Sequence, residues 1–417
     1  MVYKLFFKEK VLENKDKNLY SDIVICGGAL AGMTLALALK QKGFNIILID
    51  PRSVKELINK DRRTTAIAEG PKKFYEGLGV WRKVKKYVEP IKIINIKDGN
   101  SFLDLNFDFK DLKDNQNINN LGYVIENSYL IENINASINE SKNIGSIKRF
   151  KARVVSINNK GVLAEVFLSN KKVIKSNLVV AADGKNSVIR NMLGIEVKKT
   201  LYDQEAFVCN ILHTKKHNNI ALEKFLPGGP LAILPMKNLN DHYRSSVVWS
   251  DKKLVTRSRV SDSKDNLLIV RKEIESHCID WIGNIKLMGK PISFPLDLTI
   301  PKHIVGNRFV LIGDAAHSIH PIAGQGFNLS IRDIKYFVKE CSARKEIGLD
   351  IGSLKFLRSF EKKRIFDINS LVNATHFLNH FFRYKGPNIK FIRRTGLHVV
   401  QKSKKMKRFF MKYAMGI

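Results

Sequence analysis

The most constraining stretch of the chain is residues 22–50, in which two apolar runs enclose a glycine-rich turn and an Ala/Leu-rich segment. The first run ends at Cys26, the turn reads GGALAG, and the second run closes at Asp50. Strand, turn, helix, strand and acid in this order are typical of a βαβ unit that binds a dinucleotide, with the pyrophosphate at the helix N-terminus and a ribose hydroxyl on the acid. Ala29 stands where such turns usually have a second glycine, so we expect the pyrophosphate to lie slightly farther out. The predicted cofactor contacts of this unit are Gly27, Gly28, Ala29, Gly32 and Asp50.

A second segment, residues 306–333, also begins with an apolar run that ends in an acid. The run delivers Gly313-Asp314 to a strand end, where open α/β sheets hold ligands and an acid can accept ribityl hydroxyls. Beyond it, two glycines precede a predicted helix that begins near Phe327. Bare N–H groups at a helix N-terminus can approach a ring and favour negative charge on it, as on a reduced isoalloxazine. The segment predicts a flavin site with the contact residues Gly313, Asp314, Pro321, Gly324, Gln325, Gly326, Phe327 and Asn328.

A third segment, residues 178–194, again runs from an apolar strand into Asp183-Gly184, with Ser187 and Arg190 on a predicted helix. Together the three segments resemble the single-component FAD-dependent aromatic hydroxylases. Within that class the chain resembles the ubiquinone-biosynthesis hydroxylases that act on polyprenylated phenols, and the match runs in order from about residue 20 to the C-terminus. The narrower resemblance rests on DRRTTA (61–66), LGVW (78–81), LGYV (121–124), GPLAILPM (229–236), HPIAGQGFNL (320–329) and FMKYAMG (410–416).

The resemblance implies an α/β fold of the para-hydroxybenzoate-hydroxylase type. Such a fold has a Rossmann-like FAD-binding βαβ domain, an inserted antiparallel-sheet substrate domain and C-terminal helices. It implies noncovalent FAD, transiently bound NAD(P)H, and O2 that hydroxylates the phenol ring through a flavin C4a-hydroperoxide. Asp183 and Gly184 are expected to contact the flavin, and Arg63 the flavin or the nicotinamide, with a plain surface cation as the alternative for Arg63. Ser128 departs from relatives, which often have Arg or His near that position, so one polar contact to the flavin is in doubt.

The order of strand-like and helix-like runs predicts how the chain is divided. Runs such as AFVCNILH and SSVVW alternate in a way that favours an antiparallel sheet above the flavin. The C-terminal region is expected to be helical and to offer an apolar wall for a prenyl chain. The predicted units are a discontinuous FAD-binding domain (20–75, 120–192 and 296–345), a substrate domain (76–119 and 193–295) and a helical region (346–417).

Composition sets further limits. At 417 residues and 44% hydrophobic content, the chain can bury a sizeable core. Its four cysteines show neither paired nor metal-like spacing, so we expect reduced core thiols and no metal site. The first 21 residues lack an apolar signal segment, and no run approaches the roughly 18 apolar residues of a membrane span. A cytoplasmic location is therefore expected.

The net charge of +33 raises the question of an anionic partner. Basic residues are scattered, without a nucleic-acid-binding fold or a basic stripe interleaved with aromatics, so no nucleic-acid partner is predicted. The exception is residues 391–417, where Lys and Arg alternate with apolar and aromatic residues. This pattern fits a helix on the inner, anionic face of the cytoplasmic membrane, and equally a solvated helix that packs its apolar side on the body.

The remaining assignments concern catalysis and the substrate pocket. Pro321, Gly324, Gln325 and Gly326 are expected to tune the flavin, but no catalytic base is assigned, because His317 and His320 are more typical of a hydrogen-bonded scaffold. Candidate substrate-pocket residues, with plain core as the simpler alternative, are Phe225, Leu234, Pro235 and Trp249.

Two other functions stay open from sequence. One is a flavin reductase of the same fold that saturates prenyl double bonds without consuming oxygen. The other is a flavin-holding subunit of a membrane-associated ubiquinone-biosynthesis complex, with little turnover of its own. Fold analogy alone does not separate them.

Overall fold

The computed structural model describes residues 19–99, 101, 104–112, 118–140, 145–261, 263–320, 322–384 and 386–417. The strands are β1 (Leu19–Cys26), β2 (Asn45–Asp50), β3 (Thr64–Ala68), β4 (Glu89–Ile91), β5 (Ile93–Asp98), β6 (Asp104–Asp108), β7 (Gly122–Glu126), β8 (Ser146–Lys151), β9 (Val154–Asn158), β10 (Ala164–Leu168), β11 (Val173–Ala181), β12 (Val197–His213), β13 (Ile220–Phe225), β14 (Pro230–Leu239), β15 (His242–Lys252), β16 (Ile285–Pro301), β17 (Val305–Gly306) and β18 (Phe309–Leu311). The helices are α1 (Leu30–Gln41), α2 (Val54–Lys60), α3 (Glu69–Gly77), α4 (Trp81–Val84), α5 (Asn127–Glu140), α6 (Val188–Met192), α7 (Lys253–Arg259), α8 (Lys264–Ile282), α9 (Gln325–Glu346), α10 (Leu354–Arg383), α11 (Pro387–Lys402) and α12 (Lys404–Met415).

In the described part of the chain, the largest sheet has eight strands. Its main path runs β17-β18-β11-β1-β2-β8, and β10 and β9 branch from β11. The five strands from β18 to β8 are parallel, and the inner ones are largely buried, as is typical of a sheet covered on both faces. Helix α1, rich in Leu and Ala, is buried along most of its length and contacts α5 and α9.

A second sheet has seven strands in the order β16-β12-β15-β14-β13-β5-β6, antiparallel except for the parallel pair β13 and β5. Side chains alternate between its two faces. Leu222 and Trp249 lie on one face, where they form a core with residues of α8 such as Val270. The opposite face, here called the inner face, carries Ala221, which packs near Val124 of the small sheet β3-β7-β4.

The C-terminal helices begin and end at recognisable signals. Pro387 lies in the first turn of α11, and the Ser403 side chain accepts a hydrogen bond from the Met406 backbone N–H at the start of α12. Gly416 closes α12 in the left-handed conformation. Among the helices of the described ranges, none combines the length and apolar character needed to cross a membrane.

The predicted α/β architecture is confirmed: a parallel sheet, a second and mostly antiparallel sheet, and a helical C-terminal region. The exact division into domains remains a proposal, because β16 continues without a break across residue 296. All four cysteines are buried and none forms a disulfide.

Candidate active site

The site lies at one edge of the eight-stranded sheet. The register aligns Cys26 with both Ala181 and Ile49, and Ala181 with Leu311. Because these strands are parallel and end in the same row, the loops that follow them meet at their carboxyl ends. The three segments identified from sequence are therefore brought together, although they lie up to about 290 residues apart in the chain.

The glycine-rich turn is required by the protein's own geometry. Gly27 has a φ of +111°, and a Cβ there would lie 2.3 Å from the Ala182 carbonyl oxygen. A Cβ at Gly32 would lie 1.8 Å from the Gly27 carbonyl oxygen, so α1 could not pack so closely on the turn. Ala29, by contrast, has an extended conformation that accepts a side chain, so the departure at this position leaves the turn intact.

Asp50 is buried and held in place. Its Oδ2 accepts a hydrogen bond from Gly28 N at 2.7 Å, and its Oδ1 accepts from Arg52 N at 2.8 Å and Nε at 3.1 Å. Burial raises the pKa of this carboxyl, but the hydrogen bonds from Arg52 and Gly28 outweigh that effect and hold the pKa below its usual value. Arg149 of β8 reaches over the turn, with Nη2 3.4 Å from the Gly28 carbonyl oxygen.

Arg52 and Arg149 are not identified by the sequence reasoning. Arg52 directly follows the strand-end acid and its proline, a local signal that could have been used. Arg149 lies in β8, and only the parallel pairing of β8 with β2 brings it to the turn. Two guanidinium groups at a dinucleotide turn suit a phosphate group.

Asp183 is bonded to the N-cap residue and the first turn of the short helix α6, whose N-cap is Ser187. Its Oδ1 accepts from Ser187 Oγ at 2.5 Å and its Oδ2 from Ile189 N at 3.1 Å. Arg190 is buried and donates to the Ala315 carbonyl at 3.1 Å and to the Lys185 carbonyl at 2.9 Å. Arg190 therefore ties the loop after β11 to the loop after β18. Gly184 has a φ of +90° and open space where a Cβ would stand.

Asp314 is exposed, and Arg63 and Lys185 are close enough to act on its charge; the space beside these three residues is here called the cleft. Its side chain is accessible to solvent, yet the surrounding protein raises its pKa through burial. Three cations, His317 when protonated, Arg63 and Lys185, act in the opposite direction. A carboxyl group that is both accessible and enclosed suits a ligand that enters the cleft and donates hydrogen bonds.

Arg63 lies near Asp314 and is held by Asp61. Its Nε donates to Asp61 Oδ1 at 2.8 Å and its Nη2 to Oδ2 at 2.6 Å, and its guanidinium lies 5.5 Å from the centre of the Phe294 ring. Asn127 donates to the same carboxylate at 3.1 Å. The position beside Asp314 supports a cofactor contact over a plain surface cation. Asp61, Asn127 and Lys185 are further candidate site residues that sequence reasoning does not identify.

The predicted flavin loop reaches the first turn of α9. Gly324 is left-handed with a φ of +61°, and a Cβ there would lie 3.3 Å from the Ala66 Cβ. Among the described residues, the nearest atom to a Cβ at Gly326 would be Ile319 Cγ1 at 3.8 Å. Gln325 is buried and Phe327 packs in part on the core. Pro321 lies outside the described residues.

Asn328 has a structural role that the sequence does not indicate. Its Oδ1 accepts from Ala68 N at 2.9 Å, and its Nδ2 donates to the Ala66 and Gly324 carbonyls at 3.0 and 3.1 Å. These bonds fix the flavin loop to β3. Because they occupy both ends of the amide, direct side-chain contact with a cofactor is not favoured.

The two loop histidines are buried. His317 pairs with Asp333 through Nε2, and Asp333 also accepts from Arg364 Nε at 2.7 Å. Burial raises the pKa of Asp333, but these two partners outweigh it and lower the pKa below the usual value. His320 packs edge-on against Tyr202, at 5.5 Å between ring centres. Both arrangements favour the scaffold interpretation.

The four pocket candidates are divided between the two faces of the seven-stranded sheet. Leu234 packs in part against the cluster of Ala221 and Val124 on the inner face, and Phe225 stacks on Phe382 of α10 at 3.6 Å. Trp249 lies on the other face, where Arg259 covers its ring at 3.7 Å. The alternation of β14 places Pro235 on the Trp249 side. Of the four candidates, only Phe225 and Leu234 therefore lie on the inner face.

These features fit a flavin adenine dinucleotide. The arginines lie at the dinucleotide turn, Asp314 faces the cleft, and space beside Gly326 allows a ring to approach the backbone. Since no protein atom of the described residues requires glycine at position 326, a ligand is the simplest reason for its small size.

Comparison with known proteins supports the same conclusion. The FAD binding domain family matches residues 20–343. The ubiquinone hydroxylase UbiL of Rhodospirillum rubrum is 32% identical over 403 residues, which cover 95% of this chain and 90% of that protein. The chain belongs to the FAD-dependent ubiquinone-biosynthesis hydroxylase family.

Other members and neighbours of this family agree. The 3-demethoxyubiquinol 3-hydroxylase of Escherichia coli is 28% identical, with 95% of this chain and 99% of that protein covered. The crystal structure of the p-nitrophenol 4-monooxygenase PnpA from Pseudomonas putida has the same fold, with a TM-score of 0.77, 15% identity, and coverage of 95% and 99% of the two chains. The enzyme is thus a flavin monooxygenase with FAD as its cofactor, and NAD(P)H is the typical co-substrate of its family.

Proposed function

We propose that the enzyme hydroxylates the aromatic ring of a polyprenylated phenol in ubiquinone biosynthesis, with NAD(P)H and O2 as co-substrates. The observation that carries the proposal is that β3 and the residue before it join the inner face of the seven-stranded sheet to the flavin loop. Thr64 bonds to Ser246 of that face, and a Cβ at Gly324 would lie 3.3 Å from the Ala66 Cβ. Arg63 lies over the Phe294 ring of the sheet and acts on the charge of Asp314. This arrangement presents a flavin to an apolar space that accommodates a ring. The family relationship favours a phenol of this pathway.

Each group of residues has a proposed role. Asp50 accepts a ribose hydroxyl, Arg52 and Arg149 contact phosphate, and Asp314 accepts ribityl hydroxyls. The N-terminus of α9 stabilises negative charge on the ring, and Arg63 contacts the flavin or the nicotinamide. FAD, when bound, supplies the oxygen-activating chemistry. Apolar side chains of the inner face, Phe225 and Leu234 among them, exclude water from the reacting groups.

Oxygen consumption tests the proposal. With FAD, NAD(P)H and a short-chain prenylated phenol, the enzyme should consume O2 in a substrate-stimulated manner and yield a product with one additional oxygen atom, measured by mass spectrometry. Reduction of the prenyl double bonds without O2 uptake would favour a reductase. Binding of FAD without turnover of any prenylated phenol would favour a flavin-holding subunit.

We further propose that the C-terminal helices contact an anionic membrane surface, where a polyprenylated substrate resides. One side of α12 packs on the protein, and we assign contact with the membrane to the opposite side. Met411 and Met415 are buried in a core with Leu112, whereas Phe409 is 66% exposed. On α11, Phe391 is 72% exposed. Exposed lysines accompany these rings, as in helices that lie on membranes.

Not all basic residues of the tail are available for a membrane. Lys407 Nζ pairs with Asp111 Oδ2 at 2.6 Å, and Arg408 Nε donates to the Asp111 carbonyl at 2.7 Å. Lys404 and Lys405 are exposed. The attraction to lipid is therefore assigned to residues such as Lys404 and Lys405.

Liposome co-sedimentation tests this surface. The double variant Lys404→Glu/Lys405→Glu should bind anionic liposomes more weakly at low salt, since each basic residue contributes on the order of 1 kcal/mol. The control Lys160→Glu/Lys171→Glu changes the net charge equally, at exposed positions in the two loops that flank β10, and should bind like the parent. Equal loss in both variants would indicate a general charge effect, and no binding by the parent would exclude the surface.

A further inference from the structure

Glu223 is a buried acid on the inner face of the seven-stranded sheet. Its neighbour Leu222 packs in the core with α8, so the alternation of β13 points Glu223 to the opposite side. The register places Glu223 beside Ile96 of β5 and Ala232 of β14. Along β13 it lies between Ala221, which packs near the small sheet, and Phe225, which stacks on Phe382 of α10.

The carboxyl group of Glu223 has no hydrogen bond or ion pair with any residue that the structure describes. The residue is only 8% exposed. Burial, without any opposing contribution, raises its pKa to about 7. Its cross-strand neighbours Ala232 and Ile96 are only half-buried, so the inner face beside Glu223 is in part accessible.

Other acids of the same sheet show how unusual this is. Glu205 of β12 is 3% exposed and is paired with Arg257 at 2.9 Å, on the side covered by α7. Asp98 of β5 is 5% exposed and is paired with Arg393 at 3.2 Å. Buried polar groups in native proteins nearly always have a partner, and those that lack one in a cleft are candidates for ligand contact.

The surroundings of Glu223 indicate the chemistry of the missing partner. The same two neighbours, Ala232 and Ile96, are apolar, and Ala232 has the smaller side chain. A ligand here must therefore present an apolar surface with one hydrogen-bond donor. A phenol ring with its hydroxyl has this character.

We propose that Glu223 accepts a hydrogen bond from the phenolic hydroxyl of the substrate and so orients the ring on the inner face of the sheet. The inference rests on the proposed function and adds a specific substrate contact to it. Glu223 belongs to none of the segments that carry the family resemblance.

A binding cycle tests this contact in the FAD-loaded enzyme. The probes are a short-chain prenylated phenol and its methyl ether, which lacks the donor, and the readout is quenching of flavin fluorescence. The parent should bind the phenol about 10- to 100-fold more tightly than the ether, the range expected for a hydrogen bond to a charged group. Glu223→Leu should lose this discrimination, and Glu223→Gln, which keeps an acceptor oxygen, should retain part of it.

A matched control separates contact from structure. Glu205→Gln removes a partnered carboxylate from the other face of the same sheet and should leave the discrimination between phenol and ether unchanged, even if it lowers the melting temperature. Glu223→Leu should not lower the melting temperature, because it removes an unpartnered buried acid. If Glu223→Leu still discriminates like the parent, or if the parent binds both probes equally, the inference is wrong. In either case, hydroxylation of the phenol by the parent would leave the proposed function standing.

Discussion

Asp50, Asp183 and Asp314 each follow or end a parallel strand, but their carboxyl groups have different partners. Asp50 is bonded to Gly28 and Arg52, and Asp183 is bonded to the start of α6. Asp314 faces the cleft with cations nearby. The sequence pattern is the same in each case, and it predicts the location of the acids at one sheet edge. It does not distinguish the acid that is free to meet a ligand from the one that is bonded to the start of a helix, because that depends on local partners.

Asp314→Ala should weaken FAD binding by roughly 10- to 100-fold, since a hydrogen bond to a charged group contributes about 1.5–3 kcal/mol. Flavin content after purification and fluorescence titration of the apoprotein provide the measurement. Asp350→Ala is the control, because Asp350 pairs with Arg308 at 2.9 Å on the surface. Unchanged FAD affinity in Asp314→Ala would contradict the placement of the ribityl chain.

Glu223 should also make stability depend on pH. Its pKa rises from 4.5 in the unfolded chain to about 7 in the folded protein. Below pH 4.5 both states hold the proton and there is no penalty. As pH rises towards about 7, the unfolded state releases its proton first, so the parent loses stability, by roughly 3 kcal/mol at most. Denaturant unfolding at a series of pH values should show Glu223→Leu gaining stability over the parent across this window, and a constant difference would contradict the raised pKa.

At the scale of elements, the flavin loop and α12 each have one side that packs on the rest of the protein and one side that no described residue covers. Asn328 and the left-handed Gly324 fix the loop against β3. The space beside Gly326 is not required by any described protein atom closer than 3.8 Å. These two glycines look equivalent in the sequence but differ in the structure.

Substitution of the two glycines should therefore have different effects. Gly324→Ala should lower the stability of the apoprotein by about 1–2 kcal/mol, because a Cβ is strained in the left-handed conformation. Gly326→Val should fold with near-parent stability but bind FAD poorly or hydroxylate slowly, since its side chain occupies the space assigned to the ring. Thermal unfolding and flavin titration of both variants distinguish the effects. A Gly326→Val enzyme that hydroxylates at the parent rate would place the ring elsewhere.

The two sides of α12 allow a similar comparison. Met411→Ala should destabilise the fold by roughly 2–5 kcal/mol, because the side chain is buried in a core with Leu112. Phe409 lies on the opposite, exposed side of α12. Phe409→Ser should therefore change stability by less than about 0.5 kcal/mol but reduce binding to anionic liposomes. Denaturant unfolding and co-sedimentation measure the two effects. Strong destabilisation by Phe409→Ser would mean that this ring packs on the protein.

Sequence predicts elements well where the signal is local and poorly where it depends on distant pairing. The order of strand, glycine turn, helix and acid identifies the βαβ unit, because neighbouring residues determine it. The alternation of β13 to β15 separates the two faces of the sheet, but it does not say which face is turned towards the cofactor. The sequence therefore does not show which of Trp249 and Glu223 is the better candidate for contact with the substrate. The inward position of Lys407 and Arg408 depends on Asp111, which lies 297 residues from Arg408.

For the molecule as a whole, the cofactor site joins segments from most of the chain. The turn at Gly27, the loop at Asp183 and the loop at Asp314 belong to three distant stretches, and Arg190 links the last two. The seven-stranded sheet is joined to this region through β3, where Thr64 bonds to Ser246 of β15 at 2.8 Å between the two hydroxyl oxygens. A ligand that contacts all three loops should stabilise the fold as a unit.

FAD should raise the melting temperature of the apoprotein in a concentration-dependent manner and move the whole unfolding transition. A ligand that binds only the folded state adds about 2.7 kcal/mol of stability when its free concentration is a hundredfold above the dissociation constant. Differential scanning calorimetry over a series of FAD concentrations measures this effect. Asp314→Ala should need a higher FAD concentration for the same shift, whereas Asp350→Ala should follow the parent curve. If unfolding occurred in two steps and FAD raised the temperature of only one of them, the cofactor would stabilise one part of the protein alone. The three loops would then not unfold as a single unit.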